Sequence, residues 1–266
     1  MVIGVEGNVH VGKTTYINNS FKDFNIIKEI EHKKDMSNFD RQLYYIEKEK
    51  EKSAIGNTIL DRTILSTAIY SLNKFNGDKY NKLKNIIEYG LLNNEFIIPD
   101  YIYYIVYPYK LICNNHKLLY EKKGTQNVLV DYDYYLKYSI FFINSNSFEK
   151  IISTKDYRQI IVYNNNIFNN ITKPIKIHNK SYNLDIIIEK INKLSNKEEK
   201  INLIDEIMKS TNLNDYITNI KCSNYKKIYK ILGKNLGNMS NISLNTPLLL
   251  IDLFYEIKEC IIRGEL

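Results

Sequence analysis

The sequence predicts an α/β fold: a parallel β-sheet with helices on both faces, followed by a helical C-terminal extension. Three observations predict it. A short apolar run, Val2-Ile3-Gly4-Val5, leads into Gly7-Asn8-Val9-His10-Val11-Gly12-Lys13-Thr14, a loop of the form G-x-x-x-x-G-K-S/T, and Thr14-Thr15-Tyr16-Ile17 then opens a helical segment. Strand-length apolar runs alternate with helical patterns as far as about residue 165, the order that builds a parallel sheet. From about Pro174 onward strand signals fade and helical apolar spacing remains.

Taken in order, residues 2–5 read as the first strand and about 12–22 as the first helix. Asn25-Ile26-Ile27-Lys28-Glu29 reads as a short second strand, and 39–52, charged and rich in tyrosine, as a helix. Ile59-Leu60-Asp61 is a third strand that runs through Arg62 into a helix ending near Asn73. Residues 78–94 are helical, and Pro99-Asp100 introduces an apolar strand over 101–106. A Lys- and Asn-rich stretch (110–127), a helix near 131–144 and a strand at 159–163 complete this part. Right-handed crossovers put the strand ends, and with them the glycine-rich loop, on one edge of the sheet. Beyond it, helical spacing recurs at 184–194, 201–208, 225–232 and 248–262, with Pro247 in the first turn of the last helix and Thr246 or Asn245 as its cap. The expected division is a domain over 1–194 and a helical extension over 195–266, with no internal repeat.

Bulk properties bound the partners. At 266 residues and 31.4 kDa the chain suffices for one α/β domain and an appendage. A net charge of +7 suits an anionic ligand. No aromatic-basic motif of a nucleic-acid module accompanies it, so no nucleic-acid partner is expected. The three cysteines, Cys113, Cys222 and Cys260, match neither zinc nor disulfide spacing, consistent with a reducing compartment. No apolar stretch approaches the ~20 residues of a membrane helix, and a strand from Val2 leaves no room for a signal peptide. A soluble cytoplasmic protein is expected. Composition leans toward Asn, Lys, Ile and Tyr, which makes lysine clusters uninformative and arginines informative. There are four, Arg41, Arg62, Arg158 and Arg263, each more telling where lysine is the default cation.

The loop at 7–14 has its own chemistry. Glycines let the backbone wrap phosphate oxygens, and the following helix adds its N–H groups and positive dipole end. The motif assigns Lys13 to the β- and γ-phosphates and the Thr14 hydroxyl to Mg²⁺. The expected ligand is therefore ATP with Mg²⁺, held by Gly7, Asn8, Val9, His10, Val11, Gly12, Lys13, Thr14 and Thr15. His10 reads as a spacer within the loop.

Val5-Glu6-Gly7-Asn8-Val9 followed by Gly12-Lys13-Thr14-Thr15-Tyr16-Ile17-Asn18 resembles the start of the deoxynucleoside kinases. Asp61-Arg62-Thr63-Ile64-Leu65-Ser66 is similar to that family's second signature, which thymidylate kinases share, as they share a Pro-Asp before the fourth strand. The resemblance is to the deoxynucleoside kinase/thymidylate kinase superfamily, is carried by motifs, and spans roughly residues 1–165. It implies that Arg62 contacts the acceptor 5′-oxygen or phosphate and that Asp61 helps organise Mg²⁺ through water. It also implies a homodimer built through helices that flank the sheet.

The two branches differ chemically. A monophosphate acceptor needs cationic positioning, whereas a nucleoside must lose a hydroxyl proton to a carboxylate. Thymidylate kinases usually carry Asp at the second variable loop position, and here that position is Val9. The resemblance places the nucleoside branch's general base at Glu29, with Glu31 as the nearby alternative; both could equally be solvated charges. Gln42 corresponds to the glutamine that reads the base, at a shorter spacing to Asp61 than expected. The family's arginine-bearing lid maps onto 117–125, where Lys117, Lys122 and Lys123 stand and no arginine does. Lysine supplies charge without a bidentate fork. The tyrosines at 101, 103, 104 and 107 and at 132, 134, 135 and 138 read as core and surface fill, one of which could stack on a base.

The leading expectation is an ATP-dependent phosphotransferase acting on a nucleoside or nucleoside monophosphate. Two alternatives stand: a nucleotide-binding regulatory protein on a degenerate kinase fold, suggested by the arginine-free lid, and a P-loop kinase of a non-nucleoside small molecule.

Overall fold

In the computed structural model the described residues are 1–123, 131–153, 157–175, 183–210, 217–218 and 248–266. They form two compact units, Met1–Tyr107 with Asn115–Ile175, and Pro108–Asn114 with Lys176–Leu266.

The first unit is built on a six-stranded sheet. In chain order its elements are β1 (Val2–Gly7), α1 (Lys13–Ser20), β2 (Asn25–Ile27), α2 (Asn38–Lys50), β3 (Thr58–Asp61), α3 (Ile64–Lys74), α4 (Gly77–Leu92) and β4 (Tyr101–Val106). Next come α5 (Tyr109–Lys123), whose first residues count with the second unit, then α6 (Tyr132–Ile143), β5 (Phe148–Ser153) and β6 (Gln159–Asn164). The strand order is β2-β3-β1-β4-β6-β5. β1 lies centrally, parallel to β3 and to β4, and the chain leaves β1 first for the β2/β3 side and later for β4. A ligand crevice forms at such a switch point, beyond the C-terminal ends of the strands.

β1 is buried from Ile3 to Gly7. Alternation sends Glu6 toward α3 and α6, where it bonds Thr63, Ser66 and Tyr138, and sends Ile3 and Val5 to the opposite face, where both are also buried. The sheet is therefore covered on both faces at its centre. Thr63 caps α3 by accepting from the Leu65 N–H at 3.1 Å, which starts that helix directly behind the end of β3.

The sheet departs from the all-parallel expectation. β6 runs antiparallel to β4, and β5, not anticipated from the sequence, runs antiparallel to β6 at the sheet edge. A run such as Gln159–Asn164 carries the same apolar pattern in either direction. Consecutive antiparallel strands need only a short connection, whereas a parallel pair needs a crossover. The stretch read only as Lys- and Asn-rich, 110–127, is helical as far as Lys123, in α5.

In the second unit, α7 (Leu184–Asn192), α8 (Lys197–Ser210) and α9 (Leu250–Arg263) are joined by a two-stranded pair, β7 (Ile217–Thr218) with β8 (Leu248–Leu249). α9 is buried at every residue from Leu250 to Ile257 and packs on α8, where Lys258 pairs with Asp205 at 2.8 Å. Asp252 accepts from the Tyr109 N–H at 2.7 Å, and Glu256 pairs with Lys110 at 3.0 Å. Leu184, Ile188 and Ile191 of α7 are buried in this unit, so the boundary expected at 194/195 falls inside it. The expected helix at 225–232 lies outside the described residues, as do Asn245, Thr246 and Pro247; the last helix begins only at Leu250, after β8, with Leu249 at its N-cap and no side-chain cap bond, so those three residues do not form its start. No described helix is long and apolar enough to cross a membrane.

Candidate functional site

The loop between β1 and α1 is held from several sides. The Lys13 ammonium folds back to donate to the carbonyls of Gly7 at 3.2 Å and Asn8 at 3.1 Å. Asn115 donates to the His10 carbonyl at 3.0 Å, and Arg158 Nε to the Val11 carbonyl at 2.7 Å. Gly12 has φ of 89°, in the region that favours glycine, and a Cβ there would meet Arg158 Nη2 at 3.0 Å. His10, also left-handed with φ of 61°, has its Nε2 2.7 Å from Nδ1 of His116, so the residue read as a spacer is tied to α5. Val9 and Thr15 are exposed, while Asn8 turns inward toward α6.

Lys13 is 6% exposed. Burial, then the charge of Arg62, pulls its ammonium down to about 7, against the opposing pull of Glu29, Asp61 and Glu6. An anion beside it would reverse that bias. Next to it the Thr14 hydroxyl donates to Asp61 Oδ2 at 3.0 Å, and Asp61 Oδ1 is buried with no hydrogen-bond partner. Burial pushes the Asp61 carboxyl above its ordinary value. The described residues contain no group of three or more His, Cys, Asp or Glu able to hold a metal unaided. Thr14 and the unsatisfied Asp61 oxygen nonetheless supply the hard oxygen donors Mg²⁺ prefers, for a cation that keeps several waters and takes phosphate oxygens as further ligands. The residues present fit a magnesium nucleotide.

Arg62 directly follows β3, beside Asp61. Its backbone is left-handed, φ of 73°, and is pinned by its N–H to the Val5 carbonyl at 3.1 Å and by Lys52 Nζ on its carbonyl at 3.2 Å. Its Nη1 donates to Ser66 Oγ at 2.9 Å. Its Nε lies 2.6 Å from Glu29 Oε1, an ion pair off the N–H direction. Burial disfavours the guanidinium charge, but Glu29, with Tyr138, Tyr134 and Glu6, holds it above its ordinary value. Ser66 is oriented in turn by Glu6. That carboxylate, wholly buried, accepts from Ser66 at 2.5 Å, from the Thr63 N–H at 2.8 Å, from the Thr63 hydroxyl at 2.7 Å and from Tyr138.

A cavity of about 280 Å³ opens beside Arg62, at the small end of the range for ligand pockets. It reaches the loop at Val9, and Glu29, Gln42, Glu49, Thr67 and Tyr134 are among its lining residues. Gln42 is buried and accepts from Ser71 Oγ at 3.2 Å through Oε1. Arg41 also borders the cavity, but its guanidinium is spent on the carbonyls of Lys33 and Met36 and on Asn38. Glu31 is 81% exposed, pairs with Lys33 at 2.9 Å and does not line the cavity. Of the two carboxylates the sequence left open, Glu29 is the one beside Arg62.

Glu49 had no sequence signal. It lines the cavity, pairs with Lys52 at 2.8 Å and is nine-tenths buried, and burial outweighs Lys52 to push its carboxyl up to about 7. A folded-state value above the unfolded one favours the fold below the ordinary 4.5, and that contribution is lost as pH rises through about 7. The expected result is a fall in unfolding free energy on the order of 2–3 kcal/mol across that window, absent in Glu49→Gln, read from urea unfolding midpoints at a series of pH values. An equal slope in the variant would remove Glu49 as its source.

Of the residues expected to form a lid, Lys117 is exposed on α5 and stands 3.8 Å from Glu121. Lys122 and Lys123 fall in the last turn of α5, but their side chains, like Gly124 and Thr125, lie outside the described residues. Sequence reasoning gave no position to Arg158 beyond the scarcity of arginine, read Tyr138 as fill, named Glu6 only within a motif, and passed over Lys52. Glu6 did carry a signal, as a lone carboxylate in a strand otherwise apolar or glycine. Arg158 carried one in the scarcity of arginine.

No family model and no curated protein matches the chain. Among solved structures, it is similar to deoxyadenosine kinase from M. mycoides with products dCMP and a flexible dCDP bound, at 22% identity over 52% of this chain and 79% of that one, TM-score 0.41. The same enzyme with bound dATP is similar at 23% identity over 54% of this chain and 85% of that one, TM-score 0.42.

Proposed function

We propose that the chain is a nucleoside kinase that moves the γ-phosphoryl group of ATP to a nucleoside 5′-hydroxyl. One observation carries this reading: beside a phosphate loop, at the mouth of the adjoining cavity, the cation Arg62 is already paired with a half-exposed carboxylate, Glu29. A phosphate acceptor would need surplus positive charge there. Arg41 is committed to backbone groups and Arg62 is matched by Glu29, so the cavity suits a neutral acceptor carrying a hydroxyl.

The roles follow from position. Gln42 and Thr67 offer hydrogen-bonding groups to the acceptor, and Tyr134 and Tyr70 offer rings to its base. Glu29 takes the hydroxyl proton as the acceptor oxygen bonds to the γ-phosphorus, and the β–γ bridging oxygen leaves with its electron pair on ADP. Arg62 stays fixed by Ser66 and Lys52 and faces the charge that develops between donor and acceptor. Lys13 and the loop hold the triphosphate. Thr14, with Asp61 beyond it, would hold Mg²⁺, which when bound draws negative charge from the phosphate oxygens.

The test is transfer of label from γ-labelled ATP with Mg²⁺ across a panel of nucleosides and nucleoside monophosphates. Label on at least one nucleoside and on no monophosphate is expected. Label confined to monophosphates would overturn the hydroxyl acceptor. ATP binding with no transfer to any acceptor would favour the degenerate, regulatory reading, which the arginine-free lid sequence also supports.

A further inference from the structure

Two carboxylates bear on Arg62, and only one of them meets solvent. Glu29 stands beside its Nε and is 52% exposed. Glu6 is wholly buried in β1, directly before the phosphate loop, and does not line the cavity. It reaches Arg62 through Ser66. A serine hydroxyl has one proton to give. Ser66 gives it to Glu6 Oε2 at 2.5 Å, which leaves lone pairs to accept from Arg62 Nη1 at 2.9 Å. Tyr138 donates to the same Glu6 oxygen, and the Thr63 N–H and hydroxyl donate to the other at 2.8 and 2.7 Å. An ionised carboxylate offers about four lone-pair sites, and these four donors fill them, so Glu6 serves in its charged form. All four donors are neutral groups. The cations on which its charge acts include Lys13 and Arg62.

Resting on the reading that Glu29 takes the acceptor proton, we propose that Glu6 is a positioning residue of the transfer reaction, the permanent counter-charge of Arg62. Glu29 becomes neutral when it takes the hydroxyl proton, so its hold on the guanidinium weakens just as charge develops nearby. Glu6 is shut off from the acceptor and keeps its charge, and Ser66 goes on holding Nη1 in place. The two carboxylates divide the work. The exposed one exchanges a proton, and the buried one fixes the cation that faces the phosphoryl group.

The test uses the intact chain labelled with ¹⁵N at arginine. Only four arginines contribute, and Arg62→Lys identifies the signals of Arg62. In Glu29→Gln, which copies the protonated base, hydrogen exchange at the Arg62 Nη groups should stay as slow as in the unaltered chain. In Ser66→Ala and in Glu6→Gln it should quicken roughly tenfold or more, the scale of one lost hydrogen bond to a charged group. With the nucleoside that the unaltered chain labels, both variants should lose roughly 10- to 100-fold in kcat and keep the KM for ATP. The double variant should lose no more than either single one, because Glu6 acts through Ser66. Ser66→Ala removes one hydroxyl and carries the test if Glu6→Gln does not fold. Release of Arg62 in Glu29→Gln equal to that in these variants would overturn the proposal, since the two carboxylates would then be interchangeable. So would losses that multiply in the double variant, or a raised KM for ATP with kcat unchanged. If the unaltered chain labels no nucleoside, the proposed function fails, and the exchange rates alone decide whether Glu6 holds Arg62.

Discussion

Lys13→Ala is expected to cut phosphoryl transfer by at least about 10²- to 10³-fold, the scale of losing one preorganised donor from a transition state, while leaving the fold in place. The side chain is buried against the Gly7 and Asn8 carbonyls, a position from which removal ordinarily costs stability. Burial and Arg62 already hold the ammonium near 7, so the empty site is a poor home for its charge, and losing it relieves desolvation as well as breaking two contacts. Activity and thermal unfolding should therefore separate. Turnover retained in the variant would sink the assignment of the loop, and collapse of the fold would show Lys13 to be structural first.

Glu29→Gln separates the acceptor classes. As a general base for a hydroxyl, Glu29 should contribute about 10²- to 10⁴-fold to kcat, with ATP affinity little changed because the carboxylate pairs with Arg62 and lines the cavity rather than the loop. The amide keeps the shape and the contact with Arg62 but cannot take the proton. A drop confined to KM would make Glu29 a positioning residue for the acceptor, and a negligible effect on both constants would point to an acceptor that arrives already anionic.

The legible and illegible parts of the molecule divide by range. The loop over 7–14 is a local device: its spacing, the apolar strand before it and the helix after it all lie within one stretch of chain. The strand–helix alternation to residue 106 is likewise written locally, and the elements fall within a few residues of their expected bounds. Glu29, Asp61 and Arg62 were marked by the motif resemblance, and the structure brings Glu29 onto Arg62 and Asp61 onto Thr14. What stayed hidden depends on strand direction and on distant partners. The sequence of β6 does not encode which way it runs, so Arg158 could not be assigned to the loop. Glu49 looked like one more charge in a Lys/Glu-rich helix, because its burial comes from packing. Glu6 needed Tyr138, far along the chain, to show why a carboxylate belongs inside a strand.

Arg62 occupies a backbone conformation that glycine or asparagine would adopt at less cost, a penalty of about 1–3 kcal/mol for strained positions of this kind. Glycine there would ease the chain but would leave Glu29 without its cation and Ser66 without its donor, in a place solvent hardly reaches. Removing one partner of such a pair costs about 3–5 kcal/mol, more than the backbone would recover. Residue 62 is thus a position where the comfort of the chain and the electrostatics of the side chain pull in opposite directions, and the electrostatics are the stronger.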